Sequence, residues 1–258
     1  MSISKSNFFT ALLQTKVPQI TLAFWAIKLL STTVGESFAD YLSGTLHFGL
    51  VHTTWLMSGL MIAFLVAQIS SKKYSPPLYW ATVVLVSIGG TLITDTLTDK
   101  IGFPLLYSTA IFSILLILIF ALWYQSENTL EMKSIKNRKR EIYYWLAILT
   151  TFALGTASGD LVSEEIGLGY AKTALLVMAL IGILCLAWKT KLLSGVAIFW
   201  PVYILTRPLG ASLGDFLTQP ESHGGLNLGP TVVSYVFLVI GLALVAYLTL
   251  SKTDQINE

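Results

Sequence analysis

Four aspartates stand at matched positions along the chain, where their carboxylates could attract or bind a cation. Each follows a Trp by fifteen residues and a Gly by five, in a pattern [FY]-W-x9-G-x4-D-x-[LV] that occurs four times without a gap. An acid near the C-terminal end of a helix opposes the helix dipole, so local stability does not explain the choice of Asp. The alternatives are structural hydrogen bonding or solvated helix ends. The four residues are Asp40, Asp95, Asp160 and Asp215.

Two charged residues, Glu36 and Arg207, break the repeat. Glu36 follows its Trp by eleven residues and Arg207 by seven, which places both within about 20° of the Trp direction on a helix. If the first and fourth units adjoin in a closed ring, the two side chains can pair. The pair would be either a static contact that fixes register or a gate or proton-coupled site. Thr32 and Ser87 hold the Arg207 position in the first two units, and they are predicted to line a path with this pair.

Other sites for chemistry receive less support. Imidazoles together with carboxylates suit Mn, Fe, Zn or Ni, but no recognised ligand spacing joins the three histidines, and solvated loops are the alternative. No HExxH, GxSxG, P-loop or Gly-rich dinucleotide motif occurs. The sequence therefore implies no cofactor and predicts that the chain is not an enzyme. Lys28 is expected to extend to a membrane interface. The histidines are His47, His52 and His223.

The elements that carry these residues are predicted to be membrane helices. The chain is 54% hydrophobic and 12% charged, and its apolar residues fall in long blocks, as in a chain whose solvent is lipid. Backbone groups in lipid must be satisfied internally, which favours helices. The fold class is therefore an all-α, polytopic membrane protein with eight transmembrane helices. They lie near 20–42, 49–69, 78–98, 103–124, 142–163, 168–188, 194–217 and 228–250.

Charge asymmetry predicts the orientation of these helices. Lys and Arg concentrate at the termini and in the loops at 70–77, 125–141 and 189–193, whereas acids dominate the opposite side. The positive-inside rule then places both termini in the cytoplasm. The basic run at 133–140 is explained as a cytoplasmic loop, and the net charge of +2 gives no support for nucleic-acid binding.

The repeat also predicts how the helices pack. A residue rise of 1.5 Å places each Asp about 22 Å from its Trp, so the Trp would lie at the cytoplasmic interface and the Asp near the outer edge. Small residues on the same face allow close helix contact. All four two-helix units enter the membrane in the same direction, so their pseudo-symmetry axis should follow the membrane normal. The interface residues are Trp25, Trp80, Trp145 and Trp200; the packing glycines are Gly35, Gly90, Gly155, Gly159, Gly210 and Gly214.

The four tandem units, each with its Trp, resemble a bacterial membrane-protein family classified only as a tandem repeat of unknown function. The resemblance covers about residues 16–250, and the segments 155–160 and 203–215 are typical of it. It implies a bacterial inner-membrane location and the eight-helix plan, and it brings no substrate or catalytic residue.

Together these observations predict one transmembrane domain over 20–250, with repeats near 20–74, 75–132, 140–192 and 195–250. Residues 1–19 and 251–258 are predicted to be cytoplasmic tails, the first lying along the membrane surface. The leading functional hypothesis is a small-cation transporter or channel, for a divalent metal or coupled to protons, with the lipid bilayer as partner. The alternative is a membrane scaffold or sensor whose acids are structural. The sequence leaves the oligomeric state open.

Overall fold

The computed structural model describes residues 15–254, and all regular structure in that range is helical. This part of the chain forms eight long helices, and seven of them, all except α1, are long and apolar enough to cross a membrane. The chain is therefore a multi-pass membrane protein. The helices are α1 Leu22–Asp40, α2 Leu50–Ser70, α3 Pro76–Asp95, α4 Leu105–Glu127, α5 Arg138–Asp160, α6 Tyr170–Lys189, α7 Gly195–Thr218 and α8 Pro230–Ser251.

Local sequence explains where these helices begin. Three of the odd-numbered helices have a polar cap: Thr21, Asn137 and Ser194 each accept a hydrogen bond from a backbone amide three residues ahead. Such caps satisfy amides that have no partner inside the helix. Three of the even-numbered helices instead follow a Gly with positive φ, Gly49, Gly169 or Gly229. Only Gly adopts that backbone conformation without steric cost, so the short reversals between paired helices depend on it.

The repeat Asp ends its helix in the first three units. There the chain continues from Asp into one π-helical turn, at Tyr41–Thr45, Thr96–Lys100 and Leu161–Glu165. In the fourth unit α7 continues as α-helix to Thr218, and a short 3-10 turn, Glu221–His223, follows. The fourth unit therefore departs from the other three at the level of its Asp.

The odd-numbered helices form an inner ring, in which α1 packs against α3, α3 against α5, α5 against α7, and α7 against α1. Each even-numbered helix lies outside, against the inner helix of the following repeat, and α8 closes the circle on α1. Because each outer helix packs on the inner helix of the following repeat, a two-helix unit buries its apolar faces against its neighbours. We call the ends of the inner ring the tryptophan end and the aspartate end, after the repeat residues found there.

The segment before α1 is folded into the tryptophan end. Val17 belongs to the main hydrophobic core, and the amide of Gln19 donates to the carbonyl of Asp254 over 2.8 Å. The prediction that the N-terminal tail lies along the membrane surface is therefore wrong for residues 15–19. The bundle end covers the apolar side chain of Val17 and accepts hydrogen bonds from the backbone amides of Lys16 and Gln19. Residues 1–14 and 255–258 of the predicted tails lie outside the described range.

Candidate functional site

The repeat glycines set the spacing of the inner ring. Each faces the residue that follows the next repeat's Trp by seven, so that Gly35 meets Ser87, Gly90 meets Phe152, Gly155 meets Arg207 and Gly210 meets Thr32. A Cβ added to Gly155 would lie 2.2 Å from Cγ of Arg207, which no side chain tolerates. The predicted packing role of these four glycines is confirmed. Small residues let the backbones approach closely where lipid supplies no hydrophobic drive.

Two further glycines were predicted to pack on the same face, and their contacts are looser. A Cβ on Gly159 would lie 3.6 Å from Cα of Pro208, an ordinary van der Waals distance. A Cβ on Gly214 would lie 3.2 Å from Cβ of Glu36, which is tight but leaves room for adjustment. These two positions therefore favour small residues without demanding glycine as strictly.

The guanidinium of Arg207 lies at the centre of the ring and is fully buried. Its Nη2 donates to Oε2 of Glu36 over 2.9 Å, to Oγ1 of Thr156 over 2.7 Å and to the hydroxyl of Thr91, while Nη1 donates to the carbonyl of Thr32 over 3.1 Å. One side chain from α7 thus joins all three other inner helices. The pairing of Glu36 with Arg207, which the sequence allowed only if the ring closes, is present because the first and fourth repeats adjoin.

The acceptors around Arg207 come from one repeat position. Glu36, Thr91 and Thr156 each follow their Trp by eleven residues, and Ala211 holds that position in the fourth repeat. Sequence reasoning missed Thr91 and Thr156, although their register with Glu36 could have revealed them. The ring therefore presents three polar groups at one level, and the guanidinium of Arg207 on α7 donates to all three.

The predicted path-lining residues Thr32 and Ser87 instead lie in helix contacts. Both are fully buried, and each fills the space left by a facing glycine. The Thr32 hydroxyl donates to the Leu29 carbonyl over 2.6 Å, within its own helix. The prediction that Thr32 and Ser87 line an open path is therefore wrong, because both side chains point into the neighbouring helix. Arg207 occupies the same repeat position, and its longer side chain extends past that contact to the axis.

The repeat aspartates gather at the opposite end from the chain termini, beyond the Arg207 level. Asp40, Asp95 and Asp160 are half-buried, and Asp215 is 6% exposed. Across residues 15–254 none of them has a hydrogen-bonding or ion-pairing partner on its carboxylate. Each interacts electrostatically with Glu36, and Asp95 and Asp215 each interact with Asp40 and Asp160, their ring neighbours. The aspartate end thus brings these four carboxyl groups near one another.

The structure offers the histidines no metal centre. His47, His52 and His223 are all exposed in the loops or helix starts of the aspartate end. Within the described range no group of three or more His, Cys, Asp or Glu side chains is placed to hold a metal ion. Their exposure fits the alternative that these histidines are solvated loop residues.

Lys28 lies inside the ring and does not reach an interface. It is 0% exposed, and its Nζ lies 4.1 Å from the ring centroid of Tyr203 and 4.4 Å from that of Phe152, without a hydrogen-bond partner. The expectation of an interfacial lysine is therefore wrong. Since α1 is surrounded by α3, α7 and α8, a side chain on its inner face meets aromatic rings, whose faces attract cations.

The tryptophan end is closed by aromatic packing. Tyr79 and Tyr144, which precede two of the repeat tryptophans, share a hydrogen bond between their hydroxyls, and both are fully buried. Trp80, Trp145 and Trp200 are buried as well, and only Trp25 is half-buried. The prediction of four tryptophans in a headgroup layer is corrected for these three, because each packs into the gap between adjacent repeats.

A buried ion pair adds to this closure. Nζ of Lys16 lies 2.5 Å from Oε2 of Glu141 and also donates to the carbonyl of Ile69 over 2.9 Å. Nε2 of Gln68 donates to the other Glu141 oxygen over 3.1 Å. The segment before α1 is thereby tied to the ends of α2 and α5. No pattern in the sequence indicates this pair, since its partners are 125 positions apart.

A family model identifies the repeat. The family described as Repeat of Unknown Function (DUF347) matches residues 23–74, 78–129, 143–191 and 198–254. The chain belongs to this family. Each DUF347 match begins just before a repeat Trp and takes in one inner helix and the outer helix that follows it. The predicted resemblance is confirmed. No curated protein and no solved structure matches the chain.

The two helices of one DUF347 repeat are adjacent in sequence, but they are not the pair that packs together most closely. Each match spans an inner helix and the following outer helix, whereas that outer helix rests on the next repeat. Three charged residues near the axis, Glu36, Arg207 and Lys28, have uncharged residues at the corresponding positions of the other copies. They make the ring of four repeats asymmetric at its centre.

Proposed function

We propose that the chain is a small-cation transporter of the bacterial inner membrane. The observation that carries the proposal is the set of four aspartates that meet at one end of the ring without partners. Carboxylates withdrawn from water and left unpaired are costly, and a cation or bound water offsets that cost. A passive packing role supplies no reason for acids at this level, because no hydrogen bond of the described residues uses them.

The proposal includes a membrane topology. We infer that α1 crosses the membrane as an eighth span, since it lies among three apolar helices although Lys28, Glu36 and Asp40 lower its hydropathy. An even number of spans puts both termini on one side, and the basic loops assign that side to the cytoplasm. The aspartate end would then face outward, with the pseudo-symmetry axis of the four repeats along the membrane normal.

The centre of the ring favours a transporter over an open channel. Arg207 places a cationic side chain below the aspartates, and a fixed positive charge on a pore axis repels passing cations. A cation that reaches Glu36 would compete with Arg207 for the same carboxylate. We propose that this exchange of partners couples cation binding to movement of the inner helices, with no covalent chemistry.

The proposal is tested with the detergent-purified full-length chain and a panel of Mn²⁺, Zn²⁺, Ni²⁺, Mg²⁺, Na⁺ and acidic pH. A ligand that binds only the folded protein at a hundredfold excess over Kd stabilises it by about 2.7 kcal/mol. We expect one cation to raise the melting temperature saturably, and both Asp95→Asn and Asp215→Asn to abolish that shift. Uptake of the same cation into proteoliposomes should fail in the same variants.

Glu165→Gln is the matched control, because Glu165 is an exposed acid at the same end that stands outside the repeat position. It should leave both the stability shift and the uptake unchanged. If no cation on the panel changes the melting temperature, or if Glu165→Gln removes the shift as fully as Asp95→Asn, the aspartates are not a binding site and the proposal fails.

A second candidate function is a membrane scaffold or sensor. It is favoured by the two buried ion pairs, Glu36–Arg207 and Lys16–Glu141, since buried charge pairs can serve to fix register. A scaffold predicts that the aspartate variants change partner binding or stability while no cation flux exists to be lost. Flux in proteoliposomes therefore separates the two functions.

A further inference from the structure

A lateral groove lies between the outer helices α2 and α8, with α1 and α3 as its floor. Its volume is about 550 Å³, which is within the range of about 300–1,000 Å³ typical of ligand sites. Ile27 and Val34 on α1 and Trp80 on α3 form part of the floor, and Phe64 and Phe237 stand on the two walls. The groove is therefore large enough to hold a ligand at the surface that lipid covers.

The groove exists because one repeat lacks a side chain that the other three have. The outer helices carry Met61, Leu116, Ile181 and Gly241 eleven residues after their first residue. Met61 and Leu116 are buried against the inner ring, and Ile181 packs on a cluster around Leu209. At Gly241 no atom lies within 4 Å of an added Cβ. The fourth outer helix thus leaves open the space that the others fill.

The chemistry of the lining selects an apolar occupant. Apart from the indole of Trp80 and the hydroxyl of Ser31, the lining side chains are apolar. The Ser31 hydroxyl already donates to the carbonyl of Ile27 over 2.7 Å. A charged or strongly polar ligand would lose its hydration there without gaining matching partners. A hydrocarbon chain gains dispersion contacts along the whole groove.

The surroundings identify the source of that chain. The two helices that form the walls of the groove, α2 and α8, expose large apolar residues, including Leu56, Ile62, Val236 and Val239, which in a membrane protein face acyl tails. The lining of α8 runs from Phe237 to Val245, a length of about 12 Å at 1.5 Å per residue. One leaflet's hydrocarbon is about 15 Å thick. The groove therefore has the length of one tail in the leaflet at the tryptophan end.

We propose that this groove binds one acyl chain of a membrane phospholipid. The site does not depend on the transport proposal, because none of its lining residues is an acid or belongs to the Arg207 cluster. It would set the fourth repeat apart: the contact of α8 with α1 is completed by lipid, whereas the corresponding contacts of α2, α4 and α6 are completed by protein side chains.

Native mass spectrometry of the full-length chain, released from mild detergent, tests the site. We expect the wild-type protein to retain one phospholipid per chain. Gly241→Leu, which copies Leu116, and Val245→Phe, which copies Phe120 at the corresponding place in α4, should each lower the retained fraction at least tenfold. Gly182→Leu is the matched control: Gly182 lies on the outer helix α6, is exposed and also has open space around an added Cβ. It should retain lipid like the wild type.

Three results would overturn the proposal. The first is a wild-type chain that carries no phospholipid. The second is equal retention by Gly241→Leu, Val245→Phe and the wild type. The third is a wild-type dimer that both filling variants convert to monomers, which would make a second copy of the chain the occupant. If Gly241→Leu does not fold, Val245→Phe tests lipid retention with the same groove filled. A cation-binding assay that fails while lipid retention follows the expected pattern would count against transport alone.

Discussion

At the aspartate end, four carboxylates on the inner ring have no hydrogen-bonding or ion-pairing partner in residues 15–254, whereas at the tryptophan end of the same helices Glu141 has both Lys16 and Gln68. The first set is mostly half-buried, and the second lies under aromatic packing with the segment before α1 folded across it. Acidic side chains thus have two kinds of surroundings on one scaffold. The acid with partners ties the segment before α1 to α2 and α5, and the acids without partners are the ones that we propose bind a cation.

The largest expected effect on stability comes from replacing Arg207, which lies between the tryptophan end and the aspartate end. Arg207→Leu should destabilise the protein by about 3–5 kcal/mol, because it leaves Glu36 buried without its cation. In Arg207→Leu/Glu36→Leu most of that loss should return, since Thr91 and Thr156 also donate to carbonyls of their own helices. Chemical or thermal unfolding in detergent measures both. A double variant as unstable as the single one would show that the pair itself contributes net stability.

A smaller effect is expected at the tryptophan end from Glu141→Leu. The change removes the partner of Lys16, but Lys16 is near the chain terminus and can swing toward solvent, so the loss should be about 1–3 kcal/mol. The segment at 15–19 should become accessible, which limited proteolysis or hydrogen exchange detects. Glu131→Leu, at an exposed acid in the loop before α5, is the control and should change neither readout. Unchanged protection in Glu141→Leu would mean that apolar packing and backbone hydrogen bonds hold the segment without the ion pair.

The smallest expected effect is a pH dependence of stability that arises from Asp254, just after α8. Burial raises the pKa of the Asp254 carboxyl above its ordinary value of 3.8, although a hydrogen bond from the Tyr74 hydroxyl opposes the shift. The folded protein then holds this proton to higher pH than the unfolded chain does. Its contribution to stability is greatest below about pH 4 and falls as pH rises through the raised pKa.

Melting temperatures of the wild type and Asp254→Asn between about pH 4 and pH 7 check this expectation. The difference between the two proteins should shift in favour of the variant as pH rises. A difference that is constant with pH would mean that the carboxyl titrates alike in the folded and unfolded chains. At pH above about 10 a further loss is expected, because burial and the nearby Asp254 raise the pKa of the Tyr74 phenol.

The repeat pattern was enough to predict which face of each odd-numbered helix packs, although the closed order of the ring was an assumption. Trp, Gly and Asp recur at fixed spacing, so each Gly had to lie on the same face at the same height, and the structure puts Gly35, Gly90, Gly155 and Gly210 at equivalent contacts. The pairing of Glu36 with Arg207 followed from the same geometry once the ring was assumed closed. Periodicity succeeds here because helices fix angle and height per residue.

The wrong predictions share a physical cause. Lys28 and three tryptophans were expected at an interface because a single helix in lipid places such side chains there. In the bundle, neighbouring helices cover both positions, and burial depends on those neighbours more than on height along one helix. Thr32 and Ser87 were misplaced for the same reason, since a direction that seemed to face the axis meets the next helix.

The amino-acid sequence by itself determined the helical class, the four repeats and the level at which each Asp lies, because hydropathy and helical periodicity are local properties. Only the tertiary structure decided which acids have partners, that Lys28 faces Phe152 and Tyr203, and that Gly241 opens a groove. These outcomes depend on contacts between side chains far apart in the chain. Such contacts form only when each outer helix packs on the following repeat.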